Sequence, residues 1–311
     1  MPAAERPAAE RTAAERTVVD VEGRRVSLSH LERVLYPRTG TTKAAVLHYY
    51  TQVAPFLLPH LAGRPASFLR CPTGVDGERF WAKNVPAGAP DWVRVLDVEV
   101  RTATLRQVVV QDLPTLVWAG NLACLEIHTP QWREAPDLHD RLIIDLDPGE
   151  GTSMTDTCAA ALAVREVLAE DGIAAWPKTS GSKGVHLVAP LRPSPAEAVS
   201  RYAKRLAGRL RERYPGLVID RMNRDARHGL IFLDWSQNTG MKTTVAPYSL
   251  RALAEPTVST PVGWEELADC RDPEGLRFTP EQVVARVAER GDLMAPLLDP
   301  SGREELPGVP G

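Results

Sequence analysis

Asp145 and Asp147 stand two apart in RLIIDLD, a run whose apolar residues predict a short strand. Strand alternation puts both carboxylates on one face and Leu146 on the other, with Cα atoms about 6.5–7 Å apart. Two carboxylates that close repel unless a cation lies between them. Hard oxygen ligands favour Mg²⁺ or Mn²⁺. Asp234 ends a second apolar run, GLIFLDW, and an acid at the end of a buried strand requires a partner. Three carboxylates converging on two ions about 3.5–4 Å apart would align an attacking hydroxyl with a phosphate. The D-x-D pair alone does not choose a reaction. It also serves glycosyltransferases that hold a nucleotide-sugar through Mn²⁺, and with Pro148 and Gly149 following, Asp147 could simply begin a turn.

Ser180-Gly181-Ser182-Lys183-Gly184 lies between two predicted strands, AAWPKT and VHLVAPL, with His186 two residues on. Small residues let backbone N–H groups approach an anion, and the Ser180 and Ser182 hydroxyls and the Lys183 ammonium add donors and charge. His186, at alternate spacing from Gly184, can reach the same face. The set suits a nucleoside triphosphate tail. It lacks the spacing of a Walker loop, and a plain glycine-rich hairpin turn is the competing account. Beside Asp234, the residues Gln237, Asn238, Lys242, Thr243 and Arg251 crowd together, whereas Trp235 and Tyr248 read as core. A lysine and an arginine there could neutralise phosphate oxygens.

These side chains need a scaffold. Lys43–Leu58 is apolar at helical spacing and predicts an amphipathic helix. The runs 66–69 and 93–100 predict strands. Ser153 or Thr155 can cap a helix that runs to Glu170 and closes at Gly172. Pro195–Tyr214 predicts a second helix with Val199, Tyr202, Leu206 and Leu210 on one face. GLVID and GLIFLDW predict two strands, and a last helix falls near Pro280–Ala288. The mixture implies an α/β (α+β) fold with mixed or antiparallel sheet flanked by helices. Residues 1–16 repeat AAER with nothing to bury and predict a disordered or frayed leader. Residues 17–311 then read as a single unit, divisible at most into two lobes, with the motifs at 141–255 and an acidic extension at 256–311.

Composition narrows the class. The 311 residues are 43% hydrophobic and 25% charged, as in ordinary globular proteins. No apolar run reaches the roughly 20 residues that cross a bilayer, and the first 16 lack the apolar core of a signal peptide. Cys71, Cys124, Cys158 and Cys270 form no C-x-x-C pair, which argues against a zinc ribbon or disulfide framework and predicts a reducing cytoplasm. The net charge of −3 hides a segregated pattern. Residues 178–251 carry 14 Lys and Arg against 5 Asp and Glu, while residues 252–311 carry 5 against 12. The basic stretch suggests a phosphate-facing surface. Arg201, Lys204, Arg205 and Arg209 read more simply as the wet face of one helix.

The runs LIIDLDPGEG, KTSGSKGVHL and FLDWSQNTGMKTTVAPYSLRA, in that order, resemble the three catalytic motifs of the archaeo-eukaryotic primase superfamily. More narrowly, they resemble the polymerase domain of bacterial ATP-dependent DNA ligase D, the primase-polymerase of non-homologous end joining. LERVLYP with GTTK, RFWAKN, DWV and EIHTPQW extend the likeness over residues 25–255. The resemblance implies a primase-like core and template-directed transfer of nucleotides, preferably ribonucleotides, onto DNA 3′ ends at breaks or short gaps. It implies two divalent ions, Mn²⁺ in preference to Mg²⁺. Carried over by motif, Asp145, Asp147 and Asp234 would be the catalytic metal ligands. Ser180, Ser182, Lys183 and His186 would hold the triphosphate, with Gln237, Lys242 and Arg251 nearby, and His128 and Pro130 would line the nucleotide pocket. Phe80 and Trp81 would form a stacking surface for template or incoming base. Lys83 and Arg227 would face DNA, and Lys43 with Arg33 would bind the 5′-phosphate across a gap. Arg33 stands where the family usually has lysine, which keeps the charge and changes the donor geometry. Trp81 stands for a common phenylalanine and preserves stacking.

The implied partners are DNA ends or gapped DNA, nucleoside triphosphates, Ku and a separate ATP-dependent ligase, with no membrane, in a bacterial cytoplasm at the nucleoid. Relatives usually continue into a ligase, and no K-x-D-G adenylation motif occurs here. The expectation is a stand-alone primase-polymerase, with an excised domain as the other option. Two further readings compete: a Mn²⁺-dependent glycosyltransferase, and a non-catalytic DNA-end-binding module in which the aspartates are structural.

Overall fold

The computed structural model describes residues 16–307 apart from Arg101 and Glu134. The leader expected at 1–16 lies outside them except for Arg16, which opens a hairpin of Arg16–Val21 and Arg24–Ser29. Among the described residues the α-helices are α1 (Lys43–Leu61), α2 (Leu113–Asn121), α3 (Met154–Glu170), α4 (Ala196–Arg213), α5 (Trp264–Ala268) and α6 (Pro280–Arg290). Two sheets carry the architecture, each with its own apolar core.

The larger sheet has five strands in the order Trp176–Thr179, Val185–Pro195, Leu138–Pro148, Ile231–Leu233 and Val218–Ile219. All its pairs are antiparallel except the last. Leu142, Ile144 and Leu146 of the central strand turn to α3 and α4 and are essentially inaccessible. Burying each such side chain contributes about 1.5–3 kcal/mol, and this fixes the register of the whole strand. Arg141, Ile143, Asp145 and Asp147 consequently share the other face. The strand continues through Asp147 to Pro148, so Asp147 belongs to the ladder, opposite Phe232, and does not begin a turn. Ser153 is the cap of α3, in a reciprocal box with Asp156.

The smaller sheet is antiparallel, in the order Thr244–Val245, Cys124–Thr129, Ser67–Arg70 and Phe80–Ala82. It packs with α1 and α2 in the first core. Helix α1 runs three residues beyond the expected Leu58, through Pro59. Proline removes a helical hydrogen bond, but Leu57 and Leu61 are fully buried, and that packing outweighs the lost bond.

The acidic C-terminal part closes over both cores. Val283 and Val287 of α6 join the first core, while Leu267 and Leu306 join the second. Some of its acids pair with its own arginines, as in Arg286 and Arg290 on Glu266, and others reach back to the rest of the chain, as in Glu305 on Arg192. On α4 the basic residues are the wet face: Arg209 pairs with Glu170 and Asp171, and Lys204 lies over the Trp235 ring.

Candidate active site

The two sheets meet at a cleft of about 440 Å³ lined by Asp145, Asp147, Ser180, Ser182, Lys183, His186, Arg227 and Gln237 from the larger sheet's side, by His128, Thr244 and Val245 from the smaller sheet, and by Arg251, whose neighbours Leu250 and Ala252 pack in the smaller sheet's core. Asp234 closes the acidic corner. One oxygen from each of Asp145, Asp147 and Asp234 lies within 4.8 Å of the others. The Asp234 backbone N–H reaches the Asp145 carbonyl at 2.9 Å, so strand pairing itself brings the third acid to the first two. Asn238 locks the following turn, exchanging two hydrogen bonds with the Ile143 backbone at 2.9 and 2.7 Å. Its role is therefore structural.

The acids strain against each other. Burial, and then the Asp234 charge, push the Asp145 carboxyl up to about 7. Burial, and then Asp145, push Asp147 up to about 6. Asp234 is better served, accepting from the Ser236 N–H at 3.0 Å, the Ser236 hydroxyl at 2.5 Å and Gln237 Nε2 at 3.0 Å. Asp145 Oδ1 is buried and receives no hydrogen bond. An orphaned buried carboxylate oxygen facing two other carboxylates fits a divalent cation, and these three residues could hold one.

The SGSKG turn faces them, but not as the sequence suggested. The N–H groups of Ser182 and Gly184 donate inward to Ser180 Oγ at 3.2 and 3.0 Å, so those amides brace the turn and are not free for an anion. The exposed Lys183 ammonium and the half-buried Ser182 remain available. Arg251 donates to the Ser180 carbonyl and pairs with Glu126 at 3.2 Å. Gly181 has φ +71°, and a Cβ there would lie 2.7 Å from both Arg251 Cγ and the Val258 carbonyl carbon. Gly181→Ala should therefore cost about 1–3 kcal/mol in urea unfolding and displace Arg251, raising the nucleotide KM. A variant as stable as the parent would show that the turn tolerates the side chain.

Several other expected residues are placed differently. Lys242 is exposed and does not line the cleft, although its neighbours Thr243 and Thr244 do. Pro130 lines a separate small cavity with Ser67, Lys83 and Trp132. Arg227 stands on the wall of the acidic cleft, its guanidinium over the Phe232 ring. Phe80 and Trp81 do not make one stacking surface, because consecutive strand residues point to opposite faces. Trp81, 53% exposed, meets His128 edge-on at 4.8 Å, whereas Phe80 lies on the other face under Arg70. Lys83 is exposed on the same chain segment. Lys43 is 4% exposed, and its ammonium donates to the Asn121 carbonyl and side chain at 2.9 and 3.0 Å, the C-terminal end of α2. Burial, then Arg33, lower it to about 8. The exposed cation of that pair is Arg33.

Two residues escaped the sequence reading. Glu126 is buried, and its carboxylate takes His128 Nε2 at 2.7 Å, the Ala252 N–H at 2.9 Å and Arg251. Burial alone would raise it, but these partners together hold it at about 2. The alternation in CLEIHT, which puts Glu126 and His128 on one face, was the available signal. Lys178 is 1% exposed, against His186 Nδ1 at 3.1 Å. Burial, then the Arg251 charge, push it well below an ordinary lysine. Burial, then Lys178, likewise hold His186 well below an ordinary histidine. Nothing in KTSGSKG singles the first lysine out.

Comparison with known proteins agrees with this geometry. Residues 42–294 match the model of the LigD primase-polymerase domain. The multifunctional non-homologous end joining DNA repair protein LigD of Mycobacterium tuberculosis is 42% identical over 281 residues, covering 87% of this chain and 37% of that protein. The bifunctional LigD of Bacillus subtilis is 29% identical over 269 residues, covering 86% of this chain and 43% of that protein. The chain thus spans less than half the length of these curated relatives. A solved structure, the polymerase domain of Mycobacterium tuberculosis ligase D in complex with DNA, superimposes with a TM-score of 0.85 at 42% identity, covering 88% of this chain and 98% of that one. Neither the glycosyltransferase nor the non-catalytic reading is favoured by these likenesses. The motifs, the two-sheet cleft and the match over residues 42–294 place the chain in the LigD primase-polymerase domain family.

Proposed function

We propose that the protein adds nucleotides, template-directed, to DNA 3′ ends at breaks or short gaps. The observation that carries this reading is the convergence of Asp145, Asp147 and Asp234 within 4.8 Å, at one cleft that Lys183, His186 and Arg251 also line. The reaction joins a 3′-oxygen to the α-phosphorus of a nucleoside triphosphate and breaks the bond to pyrophosphate, so positioning and charge neutralisation are the whole task. The three carboxylates would hold two divalent ions, Mn²⁺ or Mg²⁺, which when bound supply Lewis acidity to the attacking hydroxyl and to the leaving pyrophosphate. Lys183 and Arg251 neutralise the triphosphate, His186 donates to it, and Gln237 orients Asp234. Ser182 offers its hydroxyl, while Ser180 acts through the turn it braces. Trp81, beside His128, offers a π-face to a base, and Lys83 and Arg227 flank the nucleic acid.

Arg33, supported by the buried charge of Lys43, suits the 5′-phosphate on the far side of a gap. Arg33→Ala should weaken binding to a 5′-phosphorylated gap about tenfold and leave an unphosphorylated gap unaffected. Equal losses in a fluorescence anisotropy titration would refute the role.

Ku and a separate ATP-dependent ligase are the partners this chemistry would serve, in a bacterial cytoplasm. Among the described residues no helix is long and apolar enough to cross a membrane. The deciding experiment is primer extension on a gapped duplex, with and without 5′-phosphate, comparing ribo- with deoxyribonucleotides in Mn²⁺ and Mg²⁺. Divalent-dependent extension that copies the template and prefers ribonucleotides in Mn²⁺ is expected. No extension under any of these conditions sinks the reading.

A further inference from the structure

Four neighbouring strands of the larger sheet set four ionisable side chains abreast. Lys178 is paired in register with His186, and His186 with Asp145. Asp234 follows at the end of the next strand, bonded to the Asp145 backbone. Residues directly opposite across antiparallel strands share a face and lie within side-chain reach. The row therefore runs from a buried lysine, through an imidazole, to the acids.

Lys178 itself is not among the residues that line the cleft. A lysine this deeply buried needs acceptors, and it has two. Its Nζ lies 2.7 Å from Ser259 Oγ and 3.1 Å from His186 Nδ1. The Ser259 hydroxyl gives its own hydrogen to the Thr179 carbonyl at 2.9 Å. Toward Lys178 that oxygen can only accept, so Nζ is the donor there, and it keeps at least one further hydrogen that Nδ1 can accept. An imidazole nitrogen that accepts carries no proton, and a neutral ring so engaged holds its hydrogen on Nε2. Nε2 lies 3.2 Å from Asp145 Oδ1, yet that oxygen receives no hydrogen bond. The Nε2–H is thus not aligned on the carboxylate and is available to the cleft.

We propose that Lys178, anchored by Ser259, is a positioning residue that fixes His186 in the Nε2–H tautomer, so that the ring donates a hydrogen bond to a phosphate oxygen of the incoming nucleotide. In the other tautomer the ring would present a lone pair to a polyanion, which repels it. The inference rests on the polymerase reading and adds to it a residue buried behind the substrate's reach. Lys183, on the exposed turn, meets the triphosphate as a charge; Lys178 acts only through the histidine.

The test reads the tautomer directly. Protein labelled with ¹⁵N-histidine carries seven imidazoles, and His186 is identified by its loss in His186→Gln. In the wild type His186 is expected to show a protonated Nε2 and a bare Nδ1. Lys178→Met keeps the unbranched stem and removes the donor. It should shift His186 toward the Nδ1–H form and raise the nucleotide KM about tenfold with a smaller change in kcat. A wild-type ring protonated on Nδ1 overturns the proposal without recourse to any lysine variant. So does a His186 spectrum that Lys178→Met leaves unchanged. Wild-type protein that extends no primer would instead remove the polymerase reading, and the ring assignment would still stand or fall on its own spectrum.

Discussion

Asp145→Asn is expected to lower nucleotide incorporation by at least about 10³-fold, equivalent to about 4 kcal/mol of transition-state stabilisation, with DNA affinity nearly unchanged. The substitution keeps the shape of the side chain and removes its charge. The strand should not move, because its register is held from the opposite face by Leu142, Ile144 and Leu146 against α3 and α4. Of the cations assigned to nucleic acid, Arg33 and Lys83 are exposed and lie on other elements, and Arg227, on the cleft wall, is held over the Phe232 ring and not by Asp145. What is lost is the central member of the acidic trio, the one whose Oδ1 is buried and without a donor. Asn cannot supply an anionic oxygen there, and its amide would present N–H groups to any cation. Single-turnover incorporation on a gapped duplex, beside an anisotropy titration, checks both halves. Incorporation within tenfold of wild type would mean that Asp145 is not part of the chemistry. Parallel loss of DNA binding would mean that its role is structural.

The acidic corner was legible because each of its parts is local. D-x-D on a strand fixes a face by alternation, and the apolar residues between and around the acids announce the strand. Asp234 was legible for the same reason, as a charge ending an apolar run. The helices that pack beneath them, α3 and α4, declared themselves by caps and by spacing. The smaller sheet was harder to read. Its strands are short, Thr244–Val245 has two residues, and the elements that join it lie far apart in the chain. Glu126 and Lys178 were missed because their significance is pairwise. A buried carboxylate is informative only once Arg251, 125 positions away, is seen beside it, and Lys178 only once Ser259 is. The turn misled in a different way. Its small residues and hydroxyls suited an anion, but a hydroxyl that can bind a ligand can equally bind its own backbone, and Ser180 does so. The aromatic pair misled through adjacency: two neighbours on a strand cannot share a face.

Asp145 and Asp147 also bear on how stability should depend on pH and on metal. Asp145 and Asp147 titrate near 7 and 6 in the fold, against 3.8 for an ordinary aspartate. A carboxyl whose value is raised by folding holds its proton more tightly in the native state. Below about pH 4 both states are protonated and nothing is lost. As pH rises toward 7 the unfolded chain ionises freely while the native pair resists, so native stability falls, and above 7 the penalty is complete. The two acids repel each other and titrate as a unit, with a combined cost on the order of several kcal/mol. Glu126, held at about 2 against 4.5 for an ordinary glutamate, is ionised in both states above about pH 6, and the slope that it adds below that is shared by wild type and variant. A divalent cation binds the ionised trio and not the protonated one. At 100-fold excess over its dissociation constant it should return about 2.7 kcal/mol. Thermal unfolding of metal-free wild type and Asp145→Asn should therefore diverge between pH 5 and pH 8, with the variant the more stable at pH 8. Added Mn²⁺ should raise the wild-type Tm at pH 8, do little at pH 5, and do little to the variant at either. A wild type that gains stability relative to Asp145→Asn as pH rises, or a Mn²⁺ response that the variant shares, would mean that the acids are not held together against their own repulsion, and the case for a metal-binding corner would fail with it.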